Sequence, residues 1–209
     1  AFTEWGWRIP FLMSAIVLIA GFIIRKEVHE TPAFVQEEKQ DKVVKSPISE
    51  AFRHSWKHMV LVMFMALMNV IPVVATIFGA AYAVQPAYGI GFDKSVYLWI
   101  PVVGNIVAVL VIPFVGNLSD KIGRRPTMIA GCLGSGLLAF VYLYAISIQN
   151  VPMAFAASIV MWGMVYQGYN AVFPSFYPEL FHTRYRVTAM AIAQNIGTML
   201  TAMLPALFA

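Results

Sequence analysis

The sequence predicts an all-α integral membrane protein with about six membrane-crossing helices, and three observations lead there. Of 209 residues, 60% are hydrophobic, and the mean hydropathy is +0.73. Only 14 Lys or Arg and 10 Asp or Glu are present, whereas about a quarter of a water-soluble domain is charged. All of these charges fall outside six apolar stretches, each about as long as the ~20 helical residues that cross a hydrocarbon core of ~30 Å. A soluble globule built from this chain would lack the polar surface to cover itself. Disordered chains lack the apolar and aromatic residues that abound here. The lone Cys132 leaves no disulfide within the chain.

The first span, 9–24, follows a short segment bearing Trp5 and Trp7. Residues 25–57 form the one long polar segment, with seven basic and six acidic residues. Within it, Thr31-Pro32 and Ser46-Pro47 each read as an N-cap followed by proline at the first helical position. Short surface helices are therefore expected near 32–44 and 47–58, the second running into the next span. The second span covers 59–82, and the third covers 96–115 and includes Pro101 and Pro113. The uncharged stretch 126–178 is far too long for one crossing at about 1.5 Å per residue. It is expected to break at Gln149-Asn150-Val151-Pro152, giving spans 126–146 and 153–173. The sixth span is 187–208.

Basic residues orient this topology. Placing 25–57, 116–125 and 174–186 on the cytoplasmic side puts 12 of the 14 there, with only Arg8 and Lys94 elsewhere, as the positive-inside rule requires. Trp5, Trp7, Tyr97 and Trp99 then lie at outer span ends, where aromatic belts form. Topology thus accounts for the net charge of +4, and no nucleic-acid partner is expected. The expected location is the cytoplasmic (inner) membrane, multi-pass, with the lipid bilayer as surroundings. Six spans that start outside, with neither end anchored, read as an excerpt of a longer polytopic chain.

Polar residues inside the spans are few. Asn69 sits about one turn before Pro72, and Asn105 lies between Pro101 and Pro113. On a regular helix Trp162, Tyr166, Tyr169, Asn170 and Phe173 fall within about 100° of circumference, with Gln167 on the flank. Gln194, Thr198 and Thr201 form another stripe, with Asn195 beside it. A carboxamide in hydrocarbon must face protein or a watery cavity. Interhelical hydrogen bonding, worth about 0.6 kcal/mol where measured, would serve any single one as well as substrate contact. The mixed aromatic and amide stripe of the fifth span favours a cavity. The candidate substrate-cavity residues are therefore Asn69, Asn105, Trp162, Tyr166, Gln167, Asn170, Gln194 and Asn195. Gly131, Gly134, Ser135 and Gly136 are expected to let helices approach closely, with Cys132 a small hydrophobe among them. No catalytic residues are assigned and no enzyme is expected. His54 and His58 share a helical spacing but have no third ligand, so no metal site is expected.

Two charged segments carry a resemblance. Gly116-Asn117-Leu118-Ser119-Asp120-Lys121-Ile122-Gly123-Arg124-Arg125 resembles the G-x-x-x-D-[RK]-x-G-R-R loop of the major facilitator superfamily. Glu179-Leu180-Phe181-His182-Thr183-Arg184-Tyr185-Arg186 is similar to its E-L-F-P-T-x-x-R segment, with His182 in place of proline. Trp5-Gly6-Trp7-Arg8-Ile9-Pro10-Phe11, followed by Glu30-Thr31-Pro32-Ala33-Phe34, resembles a motif pair of the metabolite:proton symporter family. Members of that family carry shikimate, citrate, 2-oxoglutarate, proline or betaine.

The resemblance implies that the six spans are helices six to eleven of a twelve-helix fold. Residues 1–24 would hold the last helix of the N-terminal bundle and 25–58 the cytoplasmic inter-bundle loop. Residues 59–209 would form a C-terminal bundle without its last helix. The rest of the N-terminal bundle would be a partner within the same chain. The implied function is secondary active transport of a small polar metabolite, an organic acid or zwitterion, by alternating access. A proton gradient would supply the energy, with no cofactor. A sugar porter, a drug antiporter or a non-transporting polytopic protein are the alternatives. Since these spans hold no Asp, Glu, His, Lys or Arg, the proton-binding group is expected in the N-terminal bundle. The resemblance further implies a cytoplasmic gate loop of Gly116, Asp120, Gly123, Arg124, Arg125, Glu179 and Arg186. Asp120 would offset the unfavourable position of Arg124 and Arg125 at a helix N-terminus, and Gly116 and Gly123 would permit the tight turn. Ala189, Ala193 and Ala202 stand where the family is often glycine-rich, so the resemblance does not extend to the closeness of packing of the sixth span.

Overall fold

The computed structural model describes residues 5, 6, 8–27 and 46–208, and among them all regular structure is helical. The chain divides into Ala1–Val43 and Val44–Ala209. In the first unit, α1 is Arg8–Glu27, over the first predicted span. The Arg8 guanidinium lies 4.8 Å above the Trp5 ring, a cation–π contact. The helix expected near 32–44 lies outside the described residues.

The second unit holds five helices, all long and apolar enough to cross a membrane. The first of them, α2, starts at Pro47, where the fixed φ of proline suits a first turn, although Ser46 makes no side-chain cap bond. It reaches Val84 in segments. The backbone leaves helical geometry at Ser55 (φ −132°, ψ 18°) within Pro47–Ala66, then tightens to a 3₁₀ turn at Leu67–Asn69. It resumes over Val70–Val73, widens to a π turn at Val74–Phe78 and finishes as Gly79–Val84. Pro72 contributes to the disturbance, because it has no N–H for the carbonyl four residues back. The Thr76 hydroxyl in turn donates to Pro72 O at 2.7 Å.

Helix α3 is Lys94–Ile122. Asp93 caps it by accepting from the amides of Ser95 (2.7 Å) and Val96 (3.3 Å). These bonds, and above all one from the Ser95 side chain, hold the Asp93 carboxyl below the usual carboxylate range. Helix α4 is Arg124–Ser147. The loop expected over 116–125 therefore shrinks to one residue, Gly123, whose φ of 99° reverses the chain. Charge marks the edge of hydrocarbon rather than the end of a helix: 29 residues span about 43 Å, enough to include the headgroup regions. Gly116 consequently lies inside α3, with its carbonyl accepting from the Ser119 hydroxyl at 2.8 Å. The expectation that Gly116 shapes the turn is corrected.

Helix α5 covers Val151–Glu179 and is also segmented. Asn150 caps its start by accepting from Met153 N at 3.0 Å. A π turn occupies Ile159–Val165, followed by the short helices Gln167–Asn170 and Phe173–Glu179. The last helix, α6, is Arg186–Phe208.

Small residues set the packing. Helix α6 lies along α2 through Ala189, Ala193, Gly197 and Thr201, all buried and four residues apart. A Cβ on Gly197 would sit 2.5 Å from Met63 O and 2.7 Å from the Ala66 Cβ. The sixth span therefore packs closely, since a mixed alanine and glycine stripe suffices. Helices α3 and α4 both pack on α5. A Cβ on Gly131 would sit 2.7 Å from Tyr169 N and 2.8 Å from Gly168 Cα, so α4 and α5 touch backbone to backbone. Gly134 meets Val165, and the buried Ser135 hydroxyl donates to Gly131 O at 2.6 Å. Gly136 has nothing within 4 Å and drops out of this set. At one end, Gln149 Nε2 donates to Ile90 O at 2.8 Å, tying the α4–α5 turn to the α2–α3 connection. At the opposite, basic end, Ser55 meets Tyr185 and Arg124 meets Glu179.

Candidate functional site

The polar residues of the spans collect where two helices are irregular. Asn69 closes the 3₁₀ turn of α2. Its Oδ1 accepts from the Tyr166 hydroxyl of α5 at 3.3 Å, and its Nδ2 donates to Thr198 Oγ1 of α6 at 3.1 Å. One carboxamide therefore joins three helices. The Trp162 ring lies tilted beside Tyr166, with centroids 6.1 Å apart.

The π turn of α5 explains the rest of the arrangement. Tyr166 N–H reaches five residues back to Met161 O at 2.9 Å, which deprives Trp162 O of its regular α-helical donor. Gln167 Nε2 replaces that donor at 2.8 Å, while its Oε1 accepts from Asn170 Nδ2 at 2.9 Å. Gln167 is buried as a prop for the turn rather than lying on an open flank. Across the π turn the ring stripe drawn on a regular helix stays continuous, with Trp162, Tyr166, Tyr169 and Phe173 in successive ring contact. Trp162 and Tyr166 go with Asn69, and Asn170 is held through Gln167. Tyr169 continues the stripe, its ring centroid 5.8 Å from that of Tyr166, stacked on Phe173 at 5.4 Å and sharing a 2.8 Å hydroxyl contact with Tyr177.

The other candidates are not brought to this node by hydrogen bonds. Asn105 Nδ2 donates to Pro101 O at 2.9 Å and Asn195 Nδ2 to Ala191 O at 2.8 Å. Each is an exposed side chain bonded back to its own helix. Gln194 is half-buried. Thr198 joins the node although sequence reading placed it only on the α6 stripe; its position one turn past Gln194 was the available signal.

The gate residues also divide. Arg124 Nη1 pairs with Glu179 Oε1, clipping the start of α4 to the end of α5. Asp120 is exposed on the last turn of α3 and makes no ion pair with another described residue. The carboxylate that offsets Arg124 at the α4 N-terminus is therefore Glu179. The expectation that Asp120 offsets Arg124 is corrected among the described residues, because α3 stays helical through Ile122 and Arg124 pairs with Glu179. Gly123 makes the turn, and its carbonyl accepts from the Thr127 hydroxyl at 2.8 Å. Arg186 staples the α5–α6 connection through Phe181 O (3.3 Å) and Thr183 Oγ1 (3.4 Å). Arg125 lines a cavity of about 420 Å³ with Leu61, Met65, Met128, Phe176 and Leu180. Of the two histidines, His54 Nδ1 lies 3.3 Å from Glu50 O, and His58 packs edge-on against Phe181.

Comparison with known proteins identifies the family. A sequence model of the Major Facilitator Superfamily matches residues 1–205. The inner membrane metabolite transport protein YhjE of Escherichia coli K12 is 27% identical over 209 residues, covering 96% of this chain and 46% of that protein. The proline/betaine transporter of Salmonella typhimurium is 28% identical over 215 residues, covering 100% and 43%. The glycine betaine/proline/ectoine/pipecolic acid transporter OusA of Dickeya dadantii is 26% identical over 215 residues, covering 98% and 42%. The chain thus spans less than half the length of these curated relatives. No solved structure matches it. The relatives are the metabolite and betaine carriers to which the motif at 5–11 pointed, and with five apolar helices they indicate a multi-pass inner-membrane protein. With this match running from residue 1 into the last turns of α6, the chain belongs to the Major Facilitator Superfamily.

Proposed function

We propose that the whole protein is a secondary transporter that moves a small polar metabolite by alternating access, with a zwitterion of the proline or betaine type as the favoured substrate. The observation that carries this reading is the Asn69 node, where a carboxamide and two aromatic rings meet at the irregular turns of two helices. Amide groups would hydrogen-bond a substrate carboxylate, and the faces of Trp162 and Tyr166 suit a quaternary or secondary ammonium group. Irregular backbone within a membrane is tolerated where protein or a watery cavity satisfies it, and broken helices frame midplane sites in secondary transporters.

The basic end is the cytoplasmic side in this reading, and the Arg124–Glu179 pair holds α4 and α5 together there as the bundles rock. Proton coupling is part of the proposal. The proton-binding group would lie in the other bundle, since residues 59–92, 95–119, 126–178 and 187–209 contain no Asp, Glu, Lys or Arg. The test is uptake of labelled proline and glycine betaine by the full-length carrier in proteoliposomes, with and without an imposed inward proton gradient. Saturable, gradient-stimulated uptake with counterflow is expected. Absence of saturable uptake and of counterflow would overturn the reading, and uptake indifferent to the gradient would remove the proton.

A further inference from the structure

We propose that α2 is a jointed helix whose three irregular points are each pinned by a tyrosine hydroxyl from a different part of the bundle, and that Tyr97 positions the joint farthest from the basic end. At Ser55, where the backbone leaves helical geometry, the side chain meets the Tyr185 hydroxyl at 2.9 Å, buried. At the 3₁₀ turn, Asn69 accepts from Tyr166. At the π turn, the Tyr97 hydroxyl donates to Ala75 O at 2.6 Å.

The third joint has the most complete chemistry. Gly79 N–H is spent on Val74 O, so Ala75 O loses the donor that a regular α-helix would supply, and Tyr97 provides one. A phenol has a single proton. With that of Tyr97 committed to Ala75 O, the Tyr142 hydroxyl 2.8 Å away must donate to Tyr97. The result is a directed chain from Tyr142 of α4 through Tyr97 of α3 to the α2 backbone. Both tyrosines are fully buried, where hydrogen bonds in series strengthen one another. A side chain at Gly79 would collide with the Tyr97 hydroxyl and with Val74 O, so glycine at this position admits the chain. Single π turns within α-helices occur often at functional sites.

The role of Tyr97 in transport rests on the reading above, whereas the joint itself does not. As a positioning residue, Tyr97 sets the pose of Gly79–Val84 relative to the Asn69 node without touching substrate. The test uses the full-length carrier in lipid nanodiscs, with amide hydrogen exchange followed by mass spectrometry and uptake measured in parallel. Tyr97→Phe keeps the ring and deletes the hydroxyl. Exchange in Gly79–Val84 should rise roughly fivefold, the factor for one lost hydrogen bond, while residues 59–66 keep their protection and turnover falls. Tyr142→Phe should give a smaller rise in the same segment. Tyr185→Phe should leave that segment unchanged.

Unchanged exchange in Gly79–Val84, or a uniform rise across all five helices, overturns the joint. If the parent carrier shows no uptake but the local rise is present, the joint stands and the transport reading falls. If the parent transports and Tyr97→Phe transports equally fast despite local loosening, the positioning role is overturned.

Discussion

Replacing Gly131 with alanine tests the backbone contact between α4 and α5 directly. The added Cβ would lie 2.7 Å from Tyr169 N and 2.8 Å from both the C and Cα atoms of Gly168. None of these belongs to a flexible side chain, so relief requires one helix to retreat by about 1 Å to reach ordinary van der Waals separation. Overpacking of this kind costs about 1–3 kcal/mol, while alanine in place of glycine returns up to about 1 kcal/mol of helix propensity. Gly136→Ala is the matched control. It lies in the same helix with nothing within 4 Å, so it gains the propensity without the clash. Unfolding in detergent, followed by a thermal or denaturant midpoint, should rank Gly136→Ala at or above the parent. Gly131→Ala should fall below Gly136→Ala by about 1–3 kcal/mol. Equal midpoints for the two variants would refute the close approach.

Asp93 predicts a pH effect. Its folded pKa is depressed by the hydrogen bonds it accepts, so its capping contribution is present above the unfolded value of about 3.9 and fades as pH falls through the lower folded value. An asparagine at this position caps without titrating, so thermal midpoints of Asp93→Asn measured at pH 3 and pH 6 should lack this component. Ser158 carries a buried hydroxyl with no hydrogen-bond partner among the described residues; Ser158→Ala should leave the midpoint unchanged or raise it, because the desolvated group is removed. Gln167→Leu should lower it by about 1–3 kcal/mol, since Trp162 O and Asn170 both lose their partner. Asn170→Ala should raise the uptake KM, and unchanged affinity and turnover would remove it from the site.

Much of the architecture could be read from where charge is missing. The uncharged runs located the helices crossing between 59 and 208, and Gln149-Asn150 marked the hidden turn in the longest run. Pro47 marked the start of α2. Helix ends were harder to read, as α3 shows: Asp120 and Lys121 are charged yet helical, because a helix can continue into the headgroup region. The aromatic stripe of the site was legible in the sequence, while its polar pairing was not. Asn69, Trp162 and Tyr166 converge and Tyr169 and Phe173 continue the rings, whereas Gln167 is spent on the carbonyl freed by a π turn that a period of 3.6 does not foresee. The Arg124–Glu179 pair joins residues 55 positions apart, and no local pattern favours Glu179 over Asp120 as the partner. Tyr97 and Tyr185 looked like an interfacial aromatic and a loop residue. Their role depends on irregular backbone in α2 that the sequence signals only through Pro72.

The single-residue reversal at Gly123 has a mechanical consequence. Consecutive Cα atoms are separated by about 3.8 Å, so a link this short leaves α3 and α4 no slack to slide lengthwise past each other. The pair behaves like the two arms of a stiff pair of tongs hinged at one tip. Any tilt imposed where Glu179 grips Arg124 is carried along α4 to Tyr142, about 27 Å away at 1.5 Å per residue. A disturbance at one surface of the membrane would thereby reach Tyr142 as a displacement and pass through Tyr97 to the far third of α2.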